Sequence, residues 1–373
     1  MKLGLIFASV GCFLAAFSAI DAHAETHALL IGVSSYPSLA QNKRLRGPAN
    51  DVQIMRASLL QSGIASSAIT TLADGVVDQT AKPNQAKSQA DLPTKQNIIA
   101  GLRGLAQRAK PGDWVIVYFS GHGSQQPQPP ASKLPLGTYI EPDGLDEIFL
   151  PYDVSRWNGA KGVVDGALID DEIGHEFDYI TQRGIKLWAI FDTCHSGGMA
   201  KSINLSENAP VNRYVTPESL GVPTEALAEA YATSQKKNSA SSSRSAQSAT
   251  AKSMGSRGLA VGPNAVQSKP KFEAKVGELV VFYASHPEEP AAEEPLPTPA
   301  GLKLSGQQPA NGKPYFGLFT YLIAQALPNW RGNFKQLADT VAQQYKSRPY
   351  PNPLFEGNLE KTPYLTNPTL TKR

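Results

Sequence analysis

The chain has 373 residues, 41% hydrophobic and 18% charged, enough to bury a large core, while 31 glycines and 29 prolines point to long loops. A formal charge of +3 with no concentrated basic block argues against nucleic acid as a partner. Of the two cysteines, Cys12 lies in an amino-terminal apolar stretch, which leaves Cys194 as a lone thiol in the rest of the chain.

Lys2 is followed by an apolar run over residues 3–20 and then by Ala22-His23-Ala24, a small-x-small site of the kind signal peptidase cuts. Residues 1–24 therefore read as an export signal with Glu25 at the mature start, and the remainder is expected in the periplasm or outside the cell. A lipoprotein reading through Cys12 has a poor lead-in, Ser9-Val10-Gly11. No later stretch is long and apolar enough to span a bilayer. In an oxidising compartment a lone Cys194 is either a small buried hydrophobe or a functional group, and its polar, glycine-flanked surroundings favour function.

HALLIGV at 27–33 reads as a central strand. Asn50 is the expected N-cap of a helix that sets Val52, Met55, Leu59 and Leu60 on one face, and residues 68–72 form a short outer strand. Residues 73–93 have no period and read as an exposed loop; Thr94 then caps a helix carrying Ile98, Ile99, Leu102 and Leu105. DWVIVYF at 113–119 is another buried strand, ending in Ser120-Gly121-His122-Gly123. The apolar run at 187–191 ends in Asp192-Thr193-Cys194-His195-Ser196 and paired glycines. These elements predict an α/β fold with an open, mostly parallel sheet between helices, where ligands collect at the carboxyl ends of the strands and a thiol faces a crevice. Alternation puts Ser120 and His122 on one face of their strand and Asp192 and Cys194 on one face of theirs, so two strand ends can supply one pocket.

SGHG at 120–123 and DTCHSG at 192–197 resemble the His and Cys motifs of the metacaspases, within the caspase-like cysteine peptidases. The Q-A-C-x-G signature of true caspases is absent, and His122 and Cys194 are separated by more than the roughly 50 residues of that family, mainly through the Pro-rich insertion at 124–141. The resemblance extends to Asn50-Asp51-Val52, DGLDEIFLPYD at 143–153, LIDDEI at 168–173, ELVVFYASHPEEPAAEE at 278–294 and YFGLFTYLIAQAL at 315–327. It implies a single caspase-like domain over 25–373, monomeric, acting on protein or peptide substrates.

The chemistry so implied is acyl transfer, with Cys194 as nucleophile and His122 as its acid-base partner. The backbone N–H groups of Gly123 and Cys194 would form the oxyanion hole by the same resemblance. It also places Asp51, Ser120 and Asp192 in the S1 pocket; two carboxylates there favour Arg or Lys in P1 and repel an acidic P1. Asp51 alone also fits a helix-start carboxylate. The dyad requires no cofactor. Asp146, Asp170 and Asp171 resemble the ligands of calcium-activated relatives, and clustered carboxylates suit Ca²⁺, but Lys201 stands where the family can supply a further acid, and Asp170 and Asp171 equally suit a helix start.

Residues 206–275 do not match and read as a disordered linker or insertion between a large and a small part, on the strength of SQKKNSASSSRSAQSATAKS, which is poor in apolar residues and without period. Lys236, Lys237, Arg244, Lys252 and Arg257 there are either self-cleavage sites or residues of an inert insertion. The loop at 286–299 borders the groove, acts as a lid or is only a solvated excursion, and His195 is expected to pack away from the pocket. Two other function classes remain: a binding or regulatory protein without turnover, and a Cys-His hydrolase or transferase acting on a non-peptide amide.

Overall fold

The computed structural model describes residues 24–76, 91–129, 141–194, 211–233, 276–287, 289–305, 312–346, 348 and 351–360. The leader expected at 1–24 lies almost wholly outside them, as do His195, Lys201, most of the Pro-rich insertion and all five candidate basic sites between 236 and 257.

Five parallel strands form the centre: β1 (Thr26–Gly32), β2 (Ile69–Ala73), β3 (Trp114–Ser120), β9 (Lys186–Asp192) and β11 (Leu279–Tyr283). With the antiparallel edge strand β14 (Leu354–Gly357) the sheet order is β14-β11-β9-β3-β1-β2. The order reverses beside β1, where connections leave to opposite sides and open a crevice at the carboxyl ends. Register aligns those ends, since Gly32 pairs with Ser120 and Ser120 with Asp192.

Strand alternation decides which helix each side chain meets. Leu29 and Ile31, Val115, Val117 and Phe119, and Leu187, Ala189 and Phe191 pack on the side of α2 (Lys95–Arg108) and α3 (Asp170–Thr181). Their neighbours Leu30, Ile116, Tyr118, Trp188 and Ile190 pack on the side of α1 (Pro48–Gln61), α5 (Leu318–Ala326) and α6 (Phe334–Tyr345). Ser120 and Asp192 continue this second series, so their side chains emerge towards α1 and the start of α5. That placement follows from the two-residue period alone.

A second small sheet, β4 (Gly123–Pro127), β5 (Leu145–Phe149) and β8 (Leu168–Ile169), follows the SGHG motif. The two-residue strands β6 (Trp157–Asn158) and β7 (Val163–Val164) pair beside it. A third sheet joins β10 (Val211–Asn212), β12 (Ala292–Pro295) and β13 (Tyr315–Gly317).

Three expectations need correction. Asn50 does not cap α1: Pro48 at its start moves the cap to Gly47, and Asn50 instead donates to the carbonyls of Arg46 and Tyr315. Leu60 is 38% exposed rather than on the buried face with Val52, Met55 and Leu59. The linker expected over 206–275 is structured over 211–233, which contain β10, a 3-10 turn (Pro217–Leu220) and α4 over 224–233. Thr94 does cap α2, accepting from Asn97 N.

Trp188 is fully buried at the middle of an aromatic cluster, with Phe334, Phe282 and Trp330 at 5.0, 5.4 and 6.1 Å between ring centroids. Replacing it by alanine leaves a cavity the backbone cannot close, and we expect a loss of about 3–5 kcal/mol in denaturant unfolding followed by circular dichroism. A loss below about 1 kcal/mol would contradict this packing.

Candidate active site

Helix α1 brings Asp51 to the carboxyl ends of β3 and β9, where it meets Ser120 and Asp192. Ser120 Oγ donates to Asp51 Oδ2 at 2.8 Å. Asp51 Oδ1 accepts from Gly317 N at 2.9 Å, and Asp192 Oδ2 accepts from Thr320 N at 3.0 Å and from the Thr320 hydroxyl. Gly317 is needed here: a Cβ on it would sit 2.1 Å from Asp192 Oδ2. All of these groups are buried.

The centre of the cluster is a guanidinium. Arg213 Nη2 contacts Asp51 Oδ2 at 2.5 Å, while Nη1 donates to Ser120 Oγ at 3.0 Å and to the Asp192 carbonyl at 2.9 Å. Asp192 Oδ1 lies 3.0 Å from Nη1, and Glu293 Oε2 lies 3.8 Å from Nη2. Glu293 is anchored by the N–H groups of Arg46 and Gly47 at 2.8 and 2.7 Å. Arg213 is 0% exposed, and three carboxylates surround one cation in a medium that screens poorly. Burial works against the charge on Arg213, but Asp192, Asp51 and Glu293 together hold its proton well above the ordinary arginine range. Asp51 is pushed up to about 7 by burial, with Arg213 pulling it back and Asp192 adding repulsion. Burial likewise raises Glu293, against the pull of Arg213.

The main chain of Arg213 is held as firmly as its side chain. Its N–H donates to the Ala291 carbonyl and its carbonyl accepts from Gly123 N, both at 3.0 Å. Before it, Val211 and Asn212 pair antiparallel with Glu293 and Ala292; after it, Val215 N donates to the Gly123 carbonyl. Gly123 lies so close to the chain at the end of β9 that a Cβ there would meet the Cys194 carbonyl oxygen at 1.8 Å.

His122 follows β3 with its ring against Tyr36 at 5.1 Å, and its N–H donates to the Tyr36 hydroxyl at 2.8 Å. Nε2 lies 2.8 Å from the Lys43 carbonyl, which can only accept, so this nitrogen carries the proton and Nδ1 keeps the lone pair. Nδ1 is buried without a hydrogen-bond partner. Burial lowers the His122 pKa to about 4, opposed by the main-chain groups of Lys43 and Arg213.

Cys194 is 0% exposed, which corrects the expectation of a thiol facing an open crevice. Its Sγ accepts from Ala291 N at 2.8 Å and donates to the Ala291 carbonyl at 3.1 Å. Burial pushes the thiol up to about 12, against the main-chain groups of Ala291 and Arg213. The Arg213 peptide therefore acts on both His122 and Cys194. In this closed arrangement both are neutral near pH 7.

Asp146 and Asp170 are buried near the β4–β5–β8 sheet, away from the guanidinium cluster, and Asp146 Oδ1 accepts from Gln128 at 2.8 Å. Asp170 is raised by burial first and then by Glu141, Asp171 and Asp146, so these acids sense one another. Among the described residues, however, no group of three or more His, Cys, Asp or Glu is arranged to hold a metal ion.

The structure thus unites Asp51, Ser120 and Asp192, sets His122, Gly123 and Cys194 around the Arg213 peptide, and leaves Asp146, Asp170 and Asp171 apart. Sequence reasoning missed Arg213, Glu293, Thr320, Tyr36 and the Lys43 carbonyl. The β-branched and aromatic residues flanking Arg213 in Val211-Asn212-Arg213-Tyr214-Val215 were the one signal of a strand. The loop at 286–299 is neither a detached lid nor a solvated excursion, because Ala291 and Glu293 reach into the site.

Residues 26–202 match the family described as metacaspase, peptidase C14 domain. Metacaspase-1 of Candida albicans is 34% identical over 172 residues, 46% of this chain and 33% of that protein. Metacaspase-1 of Emericella nidulans is 33% identical over 195 residues, 49% of this chain and 41% of that protein. The chain thus spans roughly a third to two fifths of the length of these relatives. The crystal structure of protein GSU0716 from Geobacter sulfurreducens superposes with a TM-score of 0.51 at 16% identity, covering 92% of this chain and 99% of that one, a likeness of fold. Among the described residues no helix is long and apolar enough to cross a membrane.

Proposed function

We propose that the chain, whose residues 26–202 match the metacaspase, peptidase C14 domain, is a cysteine endopeptidase cleaving protein or peptide substrates after Arg or Lys. The observation that carries this reading is the cluster of Asp51, Asp192 and Glu293 around a fully buried guanidinium, beside the thiol and imidazole. A site that holds one arginine this way is complementary to an arginine in P1 and repels an acidic side chain.

In the proposed reaction Cys194 Sγ gives its proton to His122 Nδ1, the nitrogen whose lone pair is free. Sγ attacks the scissile carbonyl, and Gly123 N donates to the developing oxyanion, as it now donates to the Arg213 carbonyl. The imidazolium passes its proton to the leaving amine, and water, deprotonated by His122, hydrolyses the thioester. Lys43 and Tyr36 are positioning groups that hold the ring. Residues 1–24 export the chain on this reading. A calcium ion would bind on the side of Asp146, Asp170 and Asp171 and not at the reacting atoms.

The test is turnover of fluorogenic peptides ending in Arg, Lys or Asp by the wild type and Cys194→Ala, with calcium or chelator. Release from Arg and Lys peptides, lost in Cys194→Ala, is expected; cleavage after Asp alone would defeat the assignment of Asp51 and Asp192. The burial of both Cys194 and Arg213 favours one second reading, a regulatory protein whose pocket stays closed. It predicts no turnover on any peptide by folded protein.

A further inference from the structure

From the way residues 211–215 are bound, we infer that this segment is the enzyme's own first substrate, with Arg213 in P1 and the Arg213–Tyr214 peptide as the bond that is cut. The inference rests on the peptidase reading above and names a substrate for it.

An extended peptide is recognised by adding a strand to an exposed edge, with main-chain bonds giving affinity and a side-chain pocket giving specificity. Residues 211–213 do this on β12. Val211 pairs with Glu293 and Asn212 with Ala292, and the Arg213 N–H reaches the Ala291 carbonyl. The Arg213 side chain fills the carboxylate pocket completely. Its carbonyl rests on Gly123 N, and its peptide is felt by both Cys194 and His122. The five candidate basic residues between 236 and 257 lie outside the described residues.

The other side of the bond is anchored separately. Val215 is 0% exposed and packs in the core with Leu220 and Val222, and Thr216 caps the following turn by accepting from Ser219 N. The amine that leaves therefore stays where it is, as a new amino terminus at Tyr214. Cleavage adds one water across the bond: Sγ–C forms as C–N breaks, Tyr214 nitrogen takes the proton from His122, and hydrolysis returns the thiol and leaves an Arg213 carboxylate. Until the pocket is vacated, an external arginine has nowhere to bind.

The experiment follows the full chain by intact mass and amino-terminal sequencing at two protein concentrations tenfold apart, with Arg-peptide turnover read alongside, for the wild type, Cys194→Ala, Arg213→Lys and Arg213→Gln. We expect a cut between Arg213 and Tyr214 at a rate independent of dilution, two pieces that elute as one particle, and peptide turnover that rises with the fraction cut. Cys194→Ala stays whole and Arg213→Lys is still cut, while Arg213→Gln, which leaves buried carboxylates without their cation, is cut at this bond at least about 100-fold more slowly. Arg213→Lys keeps a cation in the pocket, so the outcome does not depend on the folding of Arg213→Gln. Wild type that hydrolyses Arg peptides with the 213–214 bond intact, or that is cut only elsewhere, overturns the inference and leaves the peptidase reading standing. Absence of both cutting and peptide turnover, in wild type and Arg213→Lys alike, defeats the two together.

Discussion

Replacing Asp51 by alanine is expected to lower kcat/KM for Arg peptides by roughly 100- to 4000-fold, because removing one partner leaves a buried charge short of compensation, at a cost of about 3–5 kcal/mol, and each 1.4 kcal/mol is tenfold. Asp51 holds the guanidinium directly through Oδ2, receives the Ser120 hydroxyl on the same oxygen, and satisfies Gly317 N through Oδ1. Alanine removes both acceptor oxygens, and with them all three hydrogen bonds, at once. Asn keeps a carbonyl oxygen without the charge, so Asp51→Asn should fall between wild type and Asp51→Ala. Asp192 is a less clean probe, since its Oδ2 is also bonded by the backbone and hydroxyl of Thr320 at the start of α5. The check is steady-state kinetics on Arg and Lys peptides, with melting curves to exclude unfolding. Unchanged kcat/KM in folded Asp51→Ala would remove Asp51 from the specificity pocket.

The second large effect concerns the thiol. Burial raises Cys194 from an ordinary value of 9.0 to about 12, so near neutral pH its thiolate should be about 1000-fold scarcer than in an exposed cysteine. The sign is fixed by desolvation of the charged form, which here outweighs the Ala291 and Arg213 main-chain groups. Iodoacetamide labelling of the uncut chain, kept uncut by His122→Ala, should therefore rise tenfold per pH unit well past pH 9. Near pH 7.5 it should run about 1000-fold slower than in the urea-unfolded chain. Fast labelling with a midpoint below pH 8 would contradict the neutral resting pair and indicate a thiolate–imidazolium pair already formed. On this account, loss of Arg213 from the pocket should speed the labelling of Cys194, because it relieves part of the burial that raises the thiol.

Much of this was legible in the sequence because it depends on short-range periodicity. The runs that became β1, β3 and β9 are apolar on both faces, as buried parallel strands must be, and their polar ends mark where chemistry sits. Two-residue alternation put Ser120 and Asp192 on one side without reference to any contact. The start of α1 was misread because Pro48 outweighs the capping preference of Asn50. What could not be read was the partner of those carboxylates. Arg213 lies in a two-residue strand, too short for a period, inside a polar segment with the composition of a linker, and its meeting with Glu293 and Asp51 is set by topology. Tyr36 and the Lys43 carbonyl hold His122 from a loop, through a hydroxyl and a main-chain oxygen that local pattern does not mark.

The most direct test of the central claim, that Cys194 attacks a carbonyl placed by an arginine between Asp51 and Asp192, is covalent trapping. The chain, after any self-cutting is complete, is treated with peptide reagents bearing an alkylating ketone after Arg or after Asp, and the adduct is mapped by peptide mass. The account predicts one adduct, on Cys194, from the Arg reagent only, and much less of it in Asp51→Ala. An Asp reagent that labels Cys194 as readily, or an Arg reagent that labels nothing in folded, processed protein, would contradict it.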